Sequence, residues 1–197
     1  MKKTFVLASR SPRRKDLLES IGLDFKIDPP LEYKEIHPEN RSAHEIVLIN
    51  AIGKAESIAG RWENALILGV DTIGAHHDRI LEKPTDHDDA VQMLKSLQGT
   101  THEILTGICI IDTHSGRKIT AVESTEVEFT PMSDKEIETY LKTGESMDKA
   151  AAYAVQGIGS IFIKSLHGDY FNVVGLPMYR LNLMLKEFDF HLLDAVN

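Results

Sequence analysis

Six consecutive apolar residues, ALILGV at 65–70, run straight into Asp71. A short run with no polar residue is what a strand buried on both faces requires, so it predicts the centre of a sheet with layers packed on either side. The chain around it supplies those layers. TFVLA at 4–8 reads as a second short strand, followed by a helix with Ser11 as cap, Pro12 in its first turn, Leu17, Leu18 and Ile21 as its inward stripe, and Gly22 as its end. Residues 23–41 read as extended. Ser42 and Glu45 have the spacing of a capping box and open a long helix closing at Gly60. After Asp71, TIGAHHDRILEKP reads as a turn and a return strand. Asp86 caps a helix reaching about Leu97; HEILTGICIID and ITAVESTEVEFT read as paired strands. Ser133 and Glu136 repeat the capping box before a helix stopped by Gly144. GSIFIKSLHGDY gives one more strand, and Pro177 opens a last helix bearing Leu181, Met184, Leu185 and Phe188. Helices interspersed among long strands predict an α/β fold, a mixed sheet covered by helices on both faces.

At 197 residues the chain fits one domain, with about 86–130 as the segment suited to a lobe of its own. Its net charge of −8 argues against a nucleic-acid or anionic-membrane surface, each of which needs a broad positive field. Anion binding must then be focal. The single cysteine, Cys109, lies in ILTGICII and reads as a small buried hydrophobe, which suits a reducing, cytoplasmic setting. The apolar run near the start is too short for a secretory signal, and no stretch is long enough to span a bilayer.

Against that acidic background, SRSPRRK at 9–15 places Arg13, Arg14 and Lys15 at the start of a helix. Cations there repel one another and oppose the positive end of the helix dipole, at a cost of about 0.3–1 kcal/mol each when exposed. Either they are solvated and the cost is tolerated, or an anion reverses the sign of every interaction. Arginines beside Ser9 and Ser11 at a helix start suit a phosphate. No Walker loop and no dinucleotide-binding GxGxxG accompanies them. Asp71 is either a turn former or a carboxylate that shares a metal with phosphate oxygens, with Glu32 or Glu35 as its partner. Lys54, Lys83 and Lys149 read first as surface residues. His76, His77 and His87 are a weaker candidate for a structural metal site, because AHHDR reads as an exposed turn and lacks zinc-ligand spacing.

Taken together, LASRSPRRKDLLESIG, GKA at Lys54, GVDTI, LEKPTDHDDAVQMLKSLQGTTHEILTG, MDKAAAYAVQGIG and GDYFNVVGLP resemble the Maf family of nucleoside triphosphate pyrophosphatases, in order and over nearly the whole chain. The resemblance implies an elongated Maf/ITPase-like α/β fold with a deep cleft between two lobes, often as a homodimer. It also implies hydrolysis of a nucleoside triphosphate to monophosphate and pyrophosphate with a divalent cation such as Mg2+, Mn2+ or Co2+. It assigns Ser9, Arg13 and Arg14 to gripping phosphate, Lys54 and Lys83 to reaching it, and Asp71 to accepting a proton. Glu35 is the acidic partner for metal, with Glu32 as the alternative. Arg13, Thr72 and Gln156 resemble the dTTP/UTP branch of the family and not the branch acting on 7-methyl-GTP. The amide of Gln156 can both donate and accept, as a uracil edge requires. A nucleotide-binding regulator of the septum-formation-inhibitor type, acting without hydrolysis, is the other function such a pocket would serve. Ala151 and Ala154 stand where the family pattern has glycine, and a backbone needing positive φ at either would be strained.

Overall fold

The computed structural model describes residues 3–36, 41–77 and 79–195. Part of the expected extended segment, 37–40, lies outside the described residues. The elements run β1 (Thr4–Ala8), α1 (Pro12–Ser20), β2 (Lys26–Ile27), α2 (Ala43–Ala59), β3 (Ala65–His76), β4 (Arg79–Leu81), α3 (His87–Leu97), β5 (Thr101–Asp112) and β6 (Lys118–Phe129). They continue with α4 (Asp134–Leu141), β7 (Ile163–His167), α5 (Tyr170–Val174), α6 (Met178–Lys186) and α7 (Leu192–Ala195). The sheet order is β2-β1-β3-β5-β6-β7, with β4 paired to β3. It is a mixed sheet: β1 lies parallel to β2 and β3, while β4 and β7 pair antiparallel with β3 and β6. Among the described residues no helix is long and apolar enough to cross a membrane.

The chain divides into two compact units. Unit 1 comprises Met1–Asp71, Thr106–Glu123 and Gly175–Asn197; unit 2 comprises Thr72–Leu105 and Ser124–Val174. In unit 1, the five residues of β1 pair in register with Ala65–Gly69 of β3. Val6, Ala8, Ala51, Ala55, Ile58, Ala65, Ile67, Cys109 and Ile111 form its core under α2. Cys109 is fully buried there, and burial pushes its thiol up to about 12, which leaves it unreactive. Two glycines let α2 settle on the sheet. A Cβ at Gly69 would fall 2.2 Å from the Ala51 carbonyl oxygen, and one at Gly107 would fall 2.3 Å from that of Val47. The capping box expected at the start of α2 is present: Ser42 Oγ accepts from Glu45 N–H, and Glu45 accepts from Ser42 N–H.

Unit 2 has its own core, in which Leu94 and Leu97 of α3 meet Phe129, Ile137, Tyr140, Tyr153 and Phe162. Asp86 caps α3 and the Ser133/Glu136 box opens α4, as their spacing predicts. Two expectations are overturned, and two elements appear without one. Residues 158–162 form a 3-10 turn, so the strand begins only at Ile163. Two short helices, α5 and α7, carried no sequence signal; each is five residues or fewer. His76 is buried on β3 with Nε2 3.1 Å from Thr100 Oγ1, so only His77 of the pair is exposed. The expectation of strain holds at one alanine and fails at the other. Ala151 adopts φ 59°, as does Ala152 beside it, whereas Ala154 is not among the residues with positive φ. An L-residue in that region costs roughly 1–2 kcal/mol.

Candidate active site

Asp71 is not a turn former. The strand that begins at Ala65 continues through it to His76, leaving the aspartate in mid-strand with 5% of its surface exposed. Side chains two apart on a strand share a face, so Asp71 points the same way as the missing side chain of Gly69, toward α2. The close approach that Gly69 allows therefore sets the distance from α2 to the aspartate.

On α2, Asn50 and Lys54 are four residues apart and share one face. Lys54 is buried rather than solvated, and its Nζ lies 2.6 Å from Asp71 Oδ1. The same Nζ lies 2.6 Å from Glu35 Oε1 and 3.4 Å from the Val70 carbonyl. Of the two glutamates considered, Glu35 thus joins Asp71 through a shared cation; Glu32 is exposed in the turn before it. Both side chains of the Lys54–Asp71 pair are less than a tenth exposed. Removing one partner of such a pair is costly because a buried charge is left behind.

Asn50 was not singled out by sequence reasoning. Its side chain is fully buried: Nδ2 donates to Asp71 Oδ2 at 3.2 Å and to the Ile36 carbonyl at 3.2 Å, while Oδ1 accepts from Ile36 N–H at 2.9 Å and Tyr33 OH at 3.0 Å. The available signal was an amide standing four residues before a lysine on an otherwise apolar helical face. Burial, with Asp71 and Glu35 nearby, raises the Tyr33 phenol above its usual range.

The basic turn converges on the same carboxylates. Arg14 is buried; its Nε donates to the Gly175 carbonyl at 2.8 Å and its Nη1 to Ser9 Oγ at 3.1 Å. Ser9 Oγ also accepts from Ser11 N–H at 3.1 Å, so this serine braces the arginine and the turn together. Burial, the largest influence, lowers the Arg14 guanidinium to about 10; the fields of Asp71 and Glu35 oppose that fall and that of Arg13 adds to it. It remains a cation at neutral pH. Ser11 caps α1 through its backbone position only, without a side-chain bond, and Pro12 occupies the first turn. Within unit 1, then, two buried cations, Arg14 and Lys54, accompany Arg13 and two carboxylates. That is a donor set for a polyphosphate with an associated hard cation.

The Maf-like protein family profile matches residues 4–188. The chain belongs to this family. Among its relatives, the dTTP/UTP pyrophosphatase of Dictyoglomus turgidum is 42% identical over 193 residues, covering 98% of this chain and 100% of that one. The dTTP/UTP pyrophosphatase of Pelotomaculum thermopropionicum is 46% identical over 191 residues, covering 97% and 100%. That of Acetivibrio thermocellus is 45% identical over 198 residues, covering 97% and 98%.

Of the positions singled out from the Maf resemblance, Ser9, Arg13, Arg14, Glu35, Lys54 and Asp71 all belong to unit 1. Thr72, Lys83 and Gln156 belong to unit 2, where Lys83 and Gln156 are exposed and Thr72 is half-buried. Among the described residues of the Maf-like chain, no three His, Cys, Asp or Glu side chains are grouped to hold a metal. The weaker alternative, a metal site at His76, His77 and His87, finds no support among the described residues: the His76 and His77 rings lie tilted against each other at 4.2 Å, while His87 lies beside Asp88 and Glu138.

Proposed function

We propose that this Maf-like protein hydrolyses nucleoside triphosphates between the α- and β-phosphates, with dTTP and UTP as preferred substrates, releasing a monophosphate and pyrophosphate. The reading is supported by family membership and by the names of the relatives. The observation that carries it is the meeting, in one unit, of a buried arginine, a buried lysine and two carboxylates. A protein that merely held a triphosphate would gain from the cations; burying Asp71 among them works against holding an anion and suits chemistry.

The donor set fits a hard divalent cation. Lys54 Nζ already draws one oxygen of Glu35 and one of Asp71 to within 2.6 Å of a single point. Mg2+ commonly takes one or two carboxylates and completes its shell with phosphate oxygens and water. Glu35 and Asp71 would hold it, and when bound it supplies charge neutralisation on the phosphates and a lowered pKa for attacking water. Asp71 accepts the proton of the attacking water. Arg13, Arg14 and Lys54 bind the phosphates and offset the charge that develops on departing pyrophosphate, a form of electrostatic stabilisation that is often the largest contribution to rate. For Thr72, Lys83 and Gln156 the proposal rests on the family resemblance alone: Lys83 as a phosphate ligand, Thr72 and Gln156 as readers of the base.

The deciding experiment is pyrophosphate release from a panel of nucleoside triphosphates with Mg2+, Mn2+ or Co2+, comparing the native protein with Asp71→Asn. Turnover of dTTP and UTP that falls at least 1000-fold in Asp71→Asn is expected. Nucleotide binding without turnover in the native protein would instead favour a regulator, and full activity in Asp71→Asn would remove this residue from the chemistry.

A further inference from the structure

From the bonding of one buried amide, we infer that Asn50 is a positioning residue that fixes the Asp71 carboxylate and fastens the Glu35-bearing segment to it. The inference rests on the reading of Asp71 and Glu35 given above. Asn50 lies in α2 with no exposed surface, where an unpaired amide would be strongly disfavoured. Its four bonds leave none of its capacity idle.

The orientation of this amide is fixed by its partners. Ile36 N–H can only donate, so the atom facing it must be Oδ1. The Ile36 carbonyl can only accept, so the atom facing it must be Nδ2. With its ends set by the backbone of Ile36, Asn50 presents an N–H to Asp71 Oδ2 and cannot turn over without breaking both contacts. Lys54 holds the other oxygen, Oδ1, so the two donors define the rotation of the carboxylate about its last bond.

The same amide sets the segment before it. Glu35 adjoins Ile36, whose N–H and C=O both close on Asn50, and Tyr33, two residues earlier, donates its hydroxyl to the same Oδ1. Room for the Tyr33 ring comes from Gly53, where a Cβ would lie 2.1 Å from a ring carbon. Asn50 bonds the Asp71 carboxylate and the backbone of Ile36, and in the proposed reaction it neither accepts the proton nor binds phosphate. It acts through Asp71 on one side and through the Glu35 segment on the other.

The test compares Asn50→Asp, Asn50→Leu and Tyr33→Phe with the native protein and Asp71→Asn. Three readouts are taken: kcat and KM for dTTP with Mg2+, thermal midpoint, and hydrogen–deuterium exchange of the Ile36 amide. Asn50→Asp keeps an acceptor for Ile36 N–H and Tyr33 but removes both donors. It should lower kcat at least 10-fold, change KM less than 3-fold, and leave the Ile36 amide protected. Asn50→Leu should lower kcat as far and also speed Ile36 exchange at least 10-fold. Tyr33→Phe should retain kcat within 3-fold. A role confined to stability would lower the thermal midpoint while leaving kcat of the folded fraction intact. Either Asn50 variant folded with kcat within 2-fold of native overturns the inference. Should neither accumulate folded, Tyr33→Phe together with native-state exchange decides: an Ile36 amide that exchanges as fast in the folded native protein as an open loop overturns it. A native protein that turns over no nucleotide, or an Asp71→Asn variant as active as native, defeats the catalytic reading instead, and Ile36 exchange then reports on the tether alone.

Discussion

A single atom pairing decides how Asp71→Asn behaves. The new amide can offer its oxygen to Lys54, but its NH2 then faces the NH2 of Asn50, which Ile36 prevents from turning. Two donors face each other in a buried place, at about 1–3 kcal/mol. Lys54 keeps Glu35 as a partner, so the variant should fold, inactive and less stable by about that amount in urea titration. A second residue-scale effect concerns His102, which is 2% exposed and bonds Tyr153 OH through Nε2 at 2.9 Å, while Nδ1 has no hydrogen-bond partner among the described residues. Burial, with a smaller push from His76, lowers its pKa from 6.5 to about 3. Between those values the unfolded chain binds a proton that the folded one refuses, so stability falls as pH falls. The window opens near pH 6.5 and closes near 3. Chemical unfolding at pH 7 and pH 5 should show His102→Gln losing less stability on acidification than the native protein, by on the order of 1–2 kcal/mol.

At the scale of elements, legibility followed the range of the interaction. Helix starts were readable because a cap is a local matter: Ser42, Asp86 and Ser133 each bond an N–H three residues on. The length of β3 was not readable, because what carries a strand past an aspartate is the lysine and amide of α2, distant in sequence. The segment at 158–162 resembled a strand in its apolar content, yet Glu145 accepts from the Ile158 and Gly159 amides and holds it in a tight turn. Ala151 shows two elements accommodating each other. Its methyl group occupies space that Gly74 of β3 leaves open, for a Cβ at Gly74 would come 3.0 Å from it and 3.2 Å from Leu81 Cβ. Gly74→Ala should therefore cost about 1–3 kcal/mol by overpacking. In an Ala151→Gly background the same change should cost less, a non-additivity that thermal denaturation of the four proteins would measure.

Over the whole molecule, an acidic chain with net charge −8 concentrates Arg13, Arg14 and Lys54 around two carboxylates. The ordered motifs made that cluster legible, since Ser9, Arg13, Arg14, Lys54 and Asp71 sit in short local patterns. Its supporting parts, Asn50 and Tyr33, lie outside those patterns and become visible only once α2 meets the sheet. One feature of the cluster reaches into how the protein lives among ions. Because the Lys54 ammonium already straddles Glu35 and Asp71, the resting protein is its own counter-ion, and abundant free magnesium finds the berth taken. A triphosphate brings the competing negative charge that draws the lysine away, so metal and nucleotide should board together. Titration of Mn2+ alone, followed by electron paramagnetic resonance, should show weak uptake by the native protein and at least 10-fold tighter uptake by Lys54→Met.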